Sequence, residues 1–267
     1  MSLPPILYKV FKTPLPYPQT LALQHQIHQL QLSRRKAAVD YPDVLLLLQH
    51  RPTYTGGRRQ NAQDLSAEES RLTGIGADWV PTDRGGETTF HGPGQIVGYP
   101  LLDLGRMKMS VRTYVCRLEK LMQRQIAEHG LKHVQSEHTG LFVSPTRKLG
   151  SIGVQVRHRL TTHGFAFNVT EEPLSWFNQV VACGLVDVKA TSISKAVAEI
   201  VPSGSGAESG ITVLGEMERT LGIFAELMER GIQKLEDGQD DELLSAVTEL
   251  EDVAAKAGDW PPQPLVR

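Results

Sequence analysis

Two runs of alternating residues, Leu149–Val156 and Thr161–Val169, are joined by the short link 157–160. Alternation of period two on either side of so short a link predicts a β-hairpin. Ile152, Val154 and Val156 share one face of the first strand, and Phe165, Phe167 and Val169 share one face of the second. The opposite faces are unusually small, with Ser151 and Gly153 on one strand and Gly164 and Ala166 on the next. Side chains that small either let a helix pack tightly on the sheet or leave room for a ligand to lie there. Periodicity alone does not choose between the two.

Other elements follow from the same rules. The longest apolar run, Val44–Leu48, is far too short to cross a bilayer and predicts a buried strand. Further strands are expected at Ile6–Phe11, Trp79–Thr82, Ile96–Leu102 and Leu141–Val143. One helix is expected where Leu23, Ile27 and Leu30 share a face, closed by Arg34, Arg35 and Lys36 at the end that favours cations. A second carries Val111, Val115, Leu118 and Met122 and ends near Gly130. Residues 51–71 are polar and contain glycine, and read as loop with at most one short helix. After the Ser/Gly-rich stretch Pro202–Gly210, two stripes predict helices packed on the main domain: Leu214, Met217, Leu221, Phe224 and Met228, then Leu243, Val247 and Leu250.

Composition narrows the function classes. A net charge of −2 gives no general pull toward nucleic acid or membrane, and 40% hydrophobic with 22% charged residues suits a folded globular chain. Two cysteines in 267 residues make no disulfide framework, so a reducing compartment is expected. No acidic residue precedes Asp40, whereas Lys9, Lys12, Arg34, Arg35 and Lys36 are basic. Such a start occurs in mitochondrial transit peptides, but the apolar spacing also suits a folded first strand and helix.

Few residues carry chemistry on their own. Cys183 ends the apolar run Val180–Ala182 and precedes Gly184, an arrangement that predicts a thiol at a strand-to-turn junction with room for a substrate. A thiolate beside a cation is a strong nucleophile; a buried cysteine is otherwise a small hydrophobe. Cys116 falls within the second helix and reads as structural. Lys148 opens a strand, where a lysine is ordinarily a solvated charge, and gains interest only if folding brings it beside Cys183. The stretch from Arg84 to Gln95 holds four glycines and a proline, which force turns and leave amides exposed for a ligand. It is neither a Walker A loop nor a GxGxxG loop, no Gly-x-Ser-x-Gly elbow occurs, and no histidine spacing favours zinc.

Four separated blocks together resemble the lipoate-biosynthetic octanoyltransferase family. They are His50–Thr55 with Gly57–Arg59; Arg84–Gly86 through Gly98–Leu104; Lys148–Val156 with Thr162–Val169; and Phe177, Ala182–Leu185 and Thr191–Ser192. Order and spacing both fit over residues 5–200. The resemblance implies an α/β fold, a mixed sheet flanked by helices like that of the biotin and lipoate protein ligases. It implies a catalytic domain over residues 1–203, with 204–267 as linker and helical extension. It implies that Cys183 takes the acyl group and Lys148 lowers its pKa. The acyl chain would be held by Arg84, Gly85, Gly86, Glu87, Thr88, Thr89, Phe90 and His91, by Ser151, Ile152 and Gly153, and by Gly164, Phe165 and Ala166. Octanoyl-acyl carrier protein would be the donor. Lipoyl domains of 2-oxoacid dehydrogenase E2 subunits and the glycine cleavage H protein would be the acceptors. No cofactor or metal, no nucleic acid, no membrane and a monomer are expected, in mitochondria or in a bacterial cytoplasm. Glu87, Thr88 and Ala182 depart from the family's usual residues, as does the long tail. The rival readings are an ATP-dependent lipoate or biotin ligase, a non-catalytic lipoyl-domain-binding protein and a cysteine hydrolase.

Overall fold

The computed structural model describes residues 3–58, 62–180, 187–201 and 210–265. Cys183 therefore lies outside the described residues, as does most of the Ser/Gly-rich stretch. The strands are β1 (Ile6–Val10), β2 (Val44–Leu48), β3 (Thr53–Gly56), β4 (Asp78–Pro81), β5 (Thr89–His91), β6 (Gln95–Leu101), β7 (Leu141–Ser144), β8 (Arg147–Arg157), β9 (Leu160–Asn168), β10 (Lys189–Ala190) and β11 (Ile232–Lys234). The helices are α1 (Tyr17–Lys36), α2 (Ala62–Thr73), α3 (Val111–Ala127), α4 (Glu172–Phe177), α5 (Ile193–Ile200), α6 (Val213–Met228) and α7 (Asp241–Lys256).

Eight of the described strands form one mixed sheet in the order β10-β8-β9-β6-β2-β1-β11, with β7 paired to β8. The expected hairpin is β8–β9, antiparallel from Gly150 opposite Phe167 to Arg157 opposite Leu160. Alternation along the strands feeds two cores. Leu45 and Leu47 of β2, Ile96 of β6 and Phe165 and Phe167 of β9 face α3, α5 and α6. Val44, Leu46 and Leu48, then Val97, Tyr99 and Leu101, and Ala166, face α1 and α7. The sheet is thus the middle layer of three, and the all-buried β2 near its centre explains the run of leucines.

Several elements differ from the expectation. Residues 51–71, expected as loop with at most one short helix, contain most of the twelve-residue α2 and, unexpectedly, β3. β3 joins β4 and β5 in a second sheet of order β4-β3-β5, and β5 lies inside the stretch expected as a glycine turn. These strands are short, and their stability comes from a small core in which Tyr54 and Phe90 meet Trp176 and Phe177 of α4. Pro173 starts α4, Asn178 closes it, and residues 178–180 form a turn; the rest of the run leading to Cys183 lies outside the described residues. Cys116 is exposed on α3 and has no structural role in the core.

The tail is more than helical. β11 runs parallel to β1 and extends the main sheet, with Ile6 opposite Ile232. Arg230 just before it forms a buried ion pair with Asp43 at the start of β2. α6 packs along α3, where Gln125 donates to the Glu216 carbonyl at 3.1 Å. α7 packs along α1, where Arg34 pairs with Asp240, the N-cap of α7. Beyond α7 the chain crosses to the second sheet. Leu265 N–H donates to the Ile75 carbonyl at 2.9 Å, and the Arg51 guanidinium lies 5.5 Å from the Trp260 ring centre.

Candidate active site

The small faces of β8 and β9 look toward α1, and the loop between β4 and β5 lies over them. Ser151 is opposite Ala166 and Gly153 opposite Gly164. Glycine is required at Gly164, and any side chain at Gly153 would be crowded. A Cβ on Gly164 would fall 2.0 Å from the Gly98 carbonyl oxygen, and one on Gly153 would fall 3.1 Å from Arg84 Cδ and from the Gly85 oxygen. The loop is tied down from both sides. Gly85 N–H donates to the Val154 carbonyl at 3.3 Å, and the buried Arg84 guanidinium donates to the Thr55 carbonyl at 2.7 Å and to Thr55 Oγ1 at 2.7 Å.

Two connected spaces result. The first, about 400 Å³ counted out to its mouth, runs along Lys148–Ser151 between Phe90, Gln95 and Asn168 and the residues 188–190. The second, about 440 Å³ on the same measure, continues between Arg84–Gly86 and Ser151–Gly153 toward His91, Tyr17, Tyr99 and His163. They share Thr89, Ser151 and Ala166 as walls. Of the two alternatives for the small faces, the structure has room over them rather than a helix packed hard against them. The candidates Arg84, Gly85, Gly86, Thr89, His91, Ser151, Ile152, Gly153, Gly164, Phe165 and Ala166 line the second space, and Phe90 lines the first. Glu87 and Thr88 line neither; Thr88 Oγ1 donates to Glu68 Oε2 at 2.8 Å.

At the head of the first space stands Lys148, only 8% exposed. Local sequence gives no hint of this burial, which comes from its neighbours. β7 covers one side, and the Lys148 Nζ lies 5.4 Å from the Phe142 ring centre. Gly140 (φ +135°) lets the chain approach so closely that a Cβ there would sit 2.9 Å from Lys148 Cε. On the other side β10 places Ala190 opposite Lys148, and Thr191 N–H donates to its carbonyl at 2.9 Å. Among the described residues no carboxylate ion-pairs with this ammonium. Gln95 Nε2 donates to Asn168 Oδ1 at 2.9 Å, and Asn168 Nδ2 donates to the Thr191 carbonyl at 2.8 Å. That chain of amides fastens β6, β9 and the turn after β10 beneath the cleft. Phe177 at the end of α4 and Val188 just before β10 both stand in the cleft wall.

The far end is built from neutral polar rings. His50 Nδ1–H donates to the Leu15 carbonyl at 3.1 Å, which leaves Nε2 to accept from the Tyr99 hydroxyl at 2.7 Å. Tyr17 packs on both His50 and His91, with ring centres 4.7 and 5.7 Å apart. Burial disfavours the imidazolium and pushes the pKa of His50 and of His163 down to about 3, and that of His91 well below its usual value. Burial likewise raises the Tyr17 and Tyr99 hydroxyls. One end of the space therefore holds Lys148, and the other holds neutral rings beside the Arg84 guanidinium.

Comparison with known proteins shows the family and the fold. Residues 16–205 match the family described as the lipoyl protein ligase A/B catalytic domain. Over 186 residues, 70% of this chain and 80% of the other, the sequence is 42% identical to the mitochondrial octanoyl-[acyl-carrier-protein]:protein N-octanoyltransferase of Danio rerio. It is 39% identical to a mitochondrial octanoyltransferase of Arabidopsis thaliana over 70% of this chain and 77% of that one. The chain belongs to the octanoyltransferase family, whose members are acyltransferases. The family includes bacterial members, among them an octanoyltransferase of Desulfotalea psychrophila, 44% identical over 57% of this chain and 69% of the other. The fold is that of a solved lipoate-protein ligase A bound with ATP (TM-score 0.60, 14% identity, 97% and 98% of the two chains). It is also that of a bipartite lipoate protein ligase from Thermoplasma acidophilum (TM-score 0.58, 15% identity, 100% and 99%).

Among the described residues no group of three or more His, Cys, Asp or Glu side chains is placed to hold a metal ion, even at the three histidines. Sequence reasoning passed over Tyr17, Tyr99, His163, Gln95 and Asn168 as site residues. A polar side chain in an otherwise apolar strand was the available signal for the last four.

Proposed function

We propose that this chain moves an octanoyl group from octanoyl-acyl carrier protein to a lysine of a lipoyl domain through an octanoyl thioester on Cys183. The observation that carries this reading is the buried Lys148 at the head of a cleft that continues over the small faces of β8 and β9. Family membership supports it, because the Danio rerio relative's name gives octanoyl carrier protein as donor and a protein as acceptor. The acceptors we have in mind are lipoyl domains of 2-oxoacid dehydrogenase E2 subunits and the glycine cleavage H protein. The Thermoplasma ligase was solved as part of a system with an E2 lipoyl domain.

The chemistry follows from two groups. A Lys148 ammonium next to Cys183 favours the ionised thiol. The thiolate attacks the carrier thioester, the bond from carbonyl carbon to carrier sulfur breaks, and the departing thiolate takes the proton of Lys148. Exchange of one thioester for another is nearly isoenergetic, so no nucleotide is consumed. Neutral Lys148 then accepts a proton from the incoming lysine amine as it attacks the acyl-enzyme. The bond to Cys183 breaks, an amide forms, and thiolate and ammonium are restored. A backbone N–H aimed at the developing oxyanion contributes roughly 3 to 4 kcal/mol.

The test is transfer of octanoyl to a lipoyl domain in buffer without ATP. Wild type completes it, and Cys183→Ala does not. Dependence on ATP, or normal transfer by Cys183→Ala, contradicts the proposal. For compartment we take mitochondria, as named for the Danio and Arabidopsis relatives, and a bacterial location is the alternative outcome of imaging the tagged chain.

A further inference from the structure

The closed end of the cavity is polar where an octanoyl chain would present a methyl group. His163 makes the point most clearly. It sits within β9 with φ +57°, a left-handed conformation that an L residue adopts in mid-strand only under constraint. The twist removes it from the regular alternation of Phe165 and Phe167, and the imidazole ends up in the cavity wall near Arg84. Its own N–H is held by Gln24 Oε1 of α1 at 2.7 Å. The ring is 1% exposed, and neither Nδ1 nor Nε2 has a hydrogen-bond partner among the described residues. A neutral imidazole carries one donor and one acceptor, and both are open to a ligand in the cavity. Tyr17 and His91 line the same wall, the Tyr17 hydroxyl beside that of Tyr99 and the His91 ring beside Gln95.

We propose that this end is a hydrogen-bonding site for a polar atom at the ω end of the acyl chain, so that ω-hydroxylated medium-chain acyl groups are accepted alongside octanoyl. The inference rests on the acyl-cleft reading given under the proposed function. A terminal methyl satisfies neither ring nitrogen without an intervening water, whereas a terminal hydroxyl pairs with whichever nitrogen faces the chain, donating to it if it is bare or accepting from it if it carries the proton. The same groups penalise longer apolar chains, whose extra methylenes would cover the polar wall and leave it unpaired.

The experiment compares single-turnover loading of the full chain from carrier-bound octanoyl and carrier-bound ω-hydroxyoctanoyl, read by intact mass. Wild type is expected to load the two within about threefold of each other. An apolar end that offered the hydroxyl no partner would make ω-hydroxyoctanoyl slower by about thirtyfold or more. His163→Phe should lower the ratio of ω-hydroxyoctanoyl to octanoyl loading by about tenfold. His163→Asn tolerates left-handed backbone and keeps a donor and an acceptor, so its ratio should stay near wild type. Octanoyl loading with ω-hydroxyoctanoyl excluded overturns this inference and leaves the acyl-transfer reading standing. An unchanged ratio in His163→Phe removes His163 from the site. Loading of neither chain by wild type overturns both.

Discussion

The two edges of the main sheet are made of opposite materials. At the β8–β10 edge the walls are Gly153, Gly164, Ser151 and Ala166, roofed by a glycine loop and ended by a buried lysine and neutral histidines. At the β1–β11 edge Arg230 and Asp43 are closed in an ion pair, and α6 and α7 present Met217, Phe224, Leu243 and Val247 to the two cores. The first edge keeps buried polar atoms without protein partners, which lowers stability in exchange for a place to hold a ligand. The second edge spends residues the family match does not include, beyond 205, on packing and charge pairing. On the acyl-transfer reading proposed above, activity and stability are carried by separate parts of one sheet, and mutations should sort accordingly.

The largest separation is expected from Lys148→Ala. Transfer should fall at least about a hundredfold in a single-turnover assay, because proton delivery and the cation are lost together, while the protein stays folded by circular dichroism. Unfolding instead of inactivity would break the comparison. Arg230→Ala is the counterpart. It leaves the Asp43 carboxylate buried without its cation, so urea denaturation should show a loss of about 3–5 kcal/mol, with the rate per folded molecule unchanged. Acid should weaken the first edge in a predictable window. His50 and His163 titrate near pH 3 when folded and near 6.5 when unfolded, so the unfolded chain binds the extra protons. Stability is full above about pH 6.5 and declines as pH falls toward 3, by on the order of 2 kcal/mol per histidine at pH 5. Thermal melts at pH 7 and 5 check this, and His50→Gln should flatten the slope. The smallest effect belongs to the C-terminal crossing: Trp260→Ala removes the contact with Arg51 and should cost about 0.5–1 kcal/mol in a denaturation curve.

Much of the frame could be read from the chain. Alternation marked β8 and β9, an unbroken apolar run marked β2, and helical spacing marked α1, α3, α6 and α7, because in each case the burial pattern is written in consecutive residues. β3, β5 and β11 were not legible. They are three or four residues long, each carries threonine or lysine, and what orders them is pairing with distant strands and, for β3 and β5, the Trp176 contact. At the site, the small faces and the glycine loop were visible as composition. The burial of Lys148 was not, since Gly140, Phe142 and Ala190 supply it from elsewhere in the chain. Nor was the left-handed turn of His163, which no local rule predicts for a histidine in a strand.

The central claim is that one thiol carries the acyl group between donor and acceptor. It is tested most directly by mixing the protein with octanoyl-acyl carrier protein alone, digesting it, and mapping any added octanoyl by mass spectrometry. The account predicts one octanoyl thioester on the peptide containing Cys183, discharged when a lipoyl domain is added. An octanoyl group on another residue, or a lipoyl domain modified at full rate with no adduct ever formed on Cys183, would contradict it.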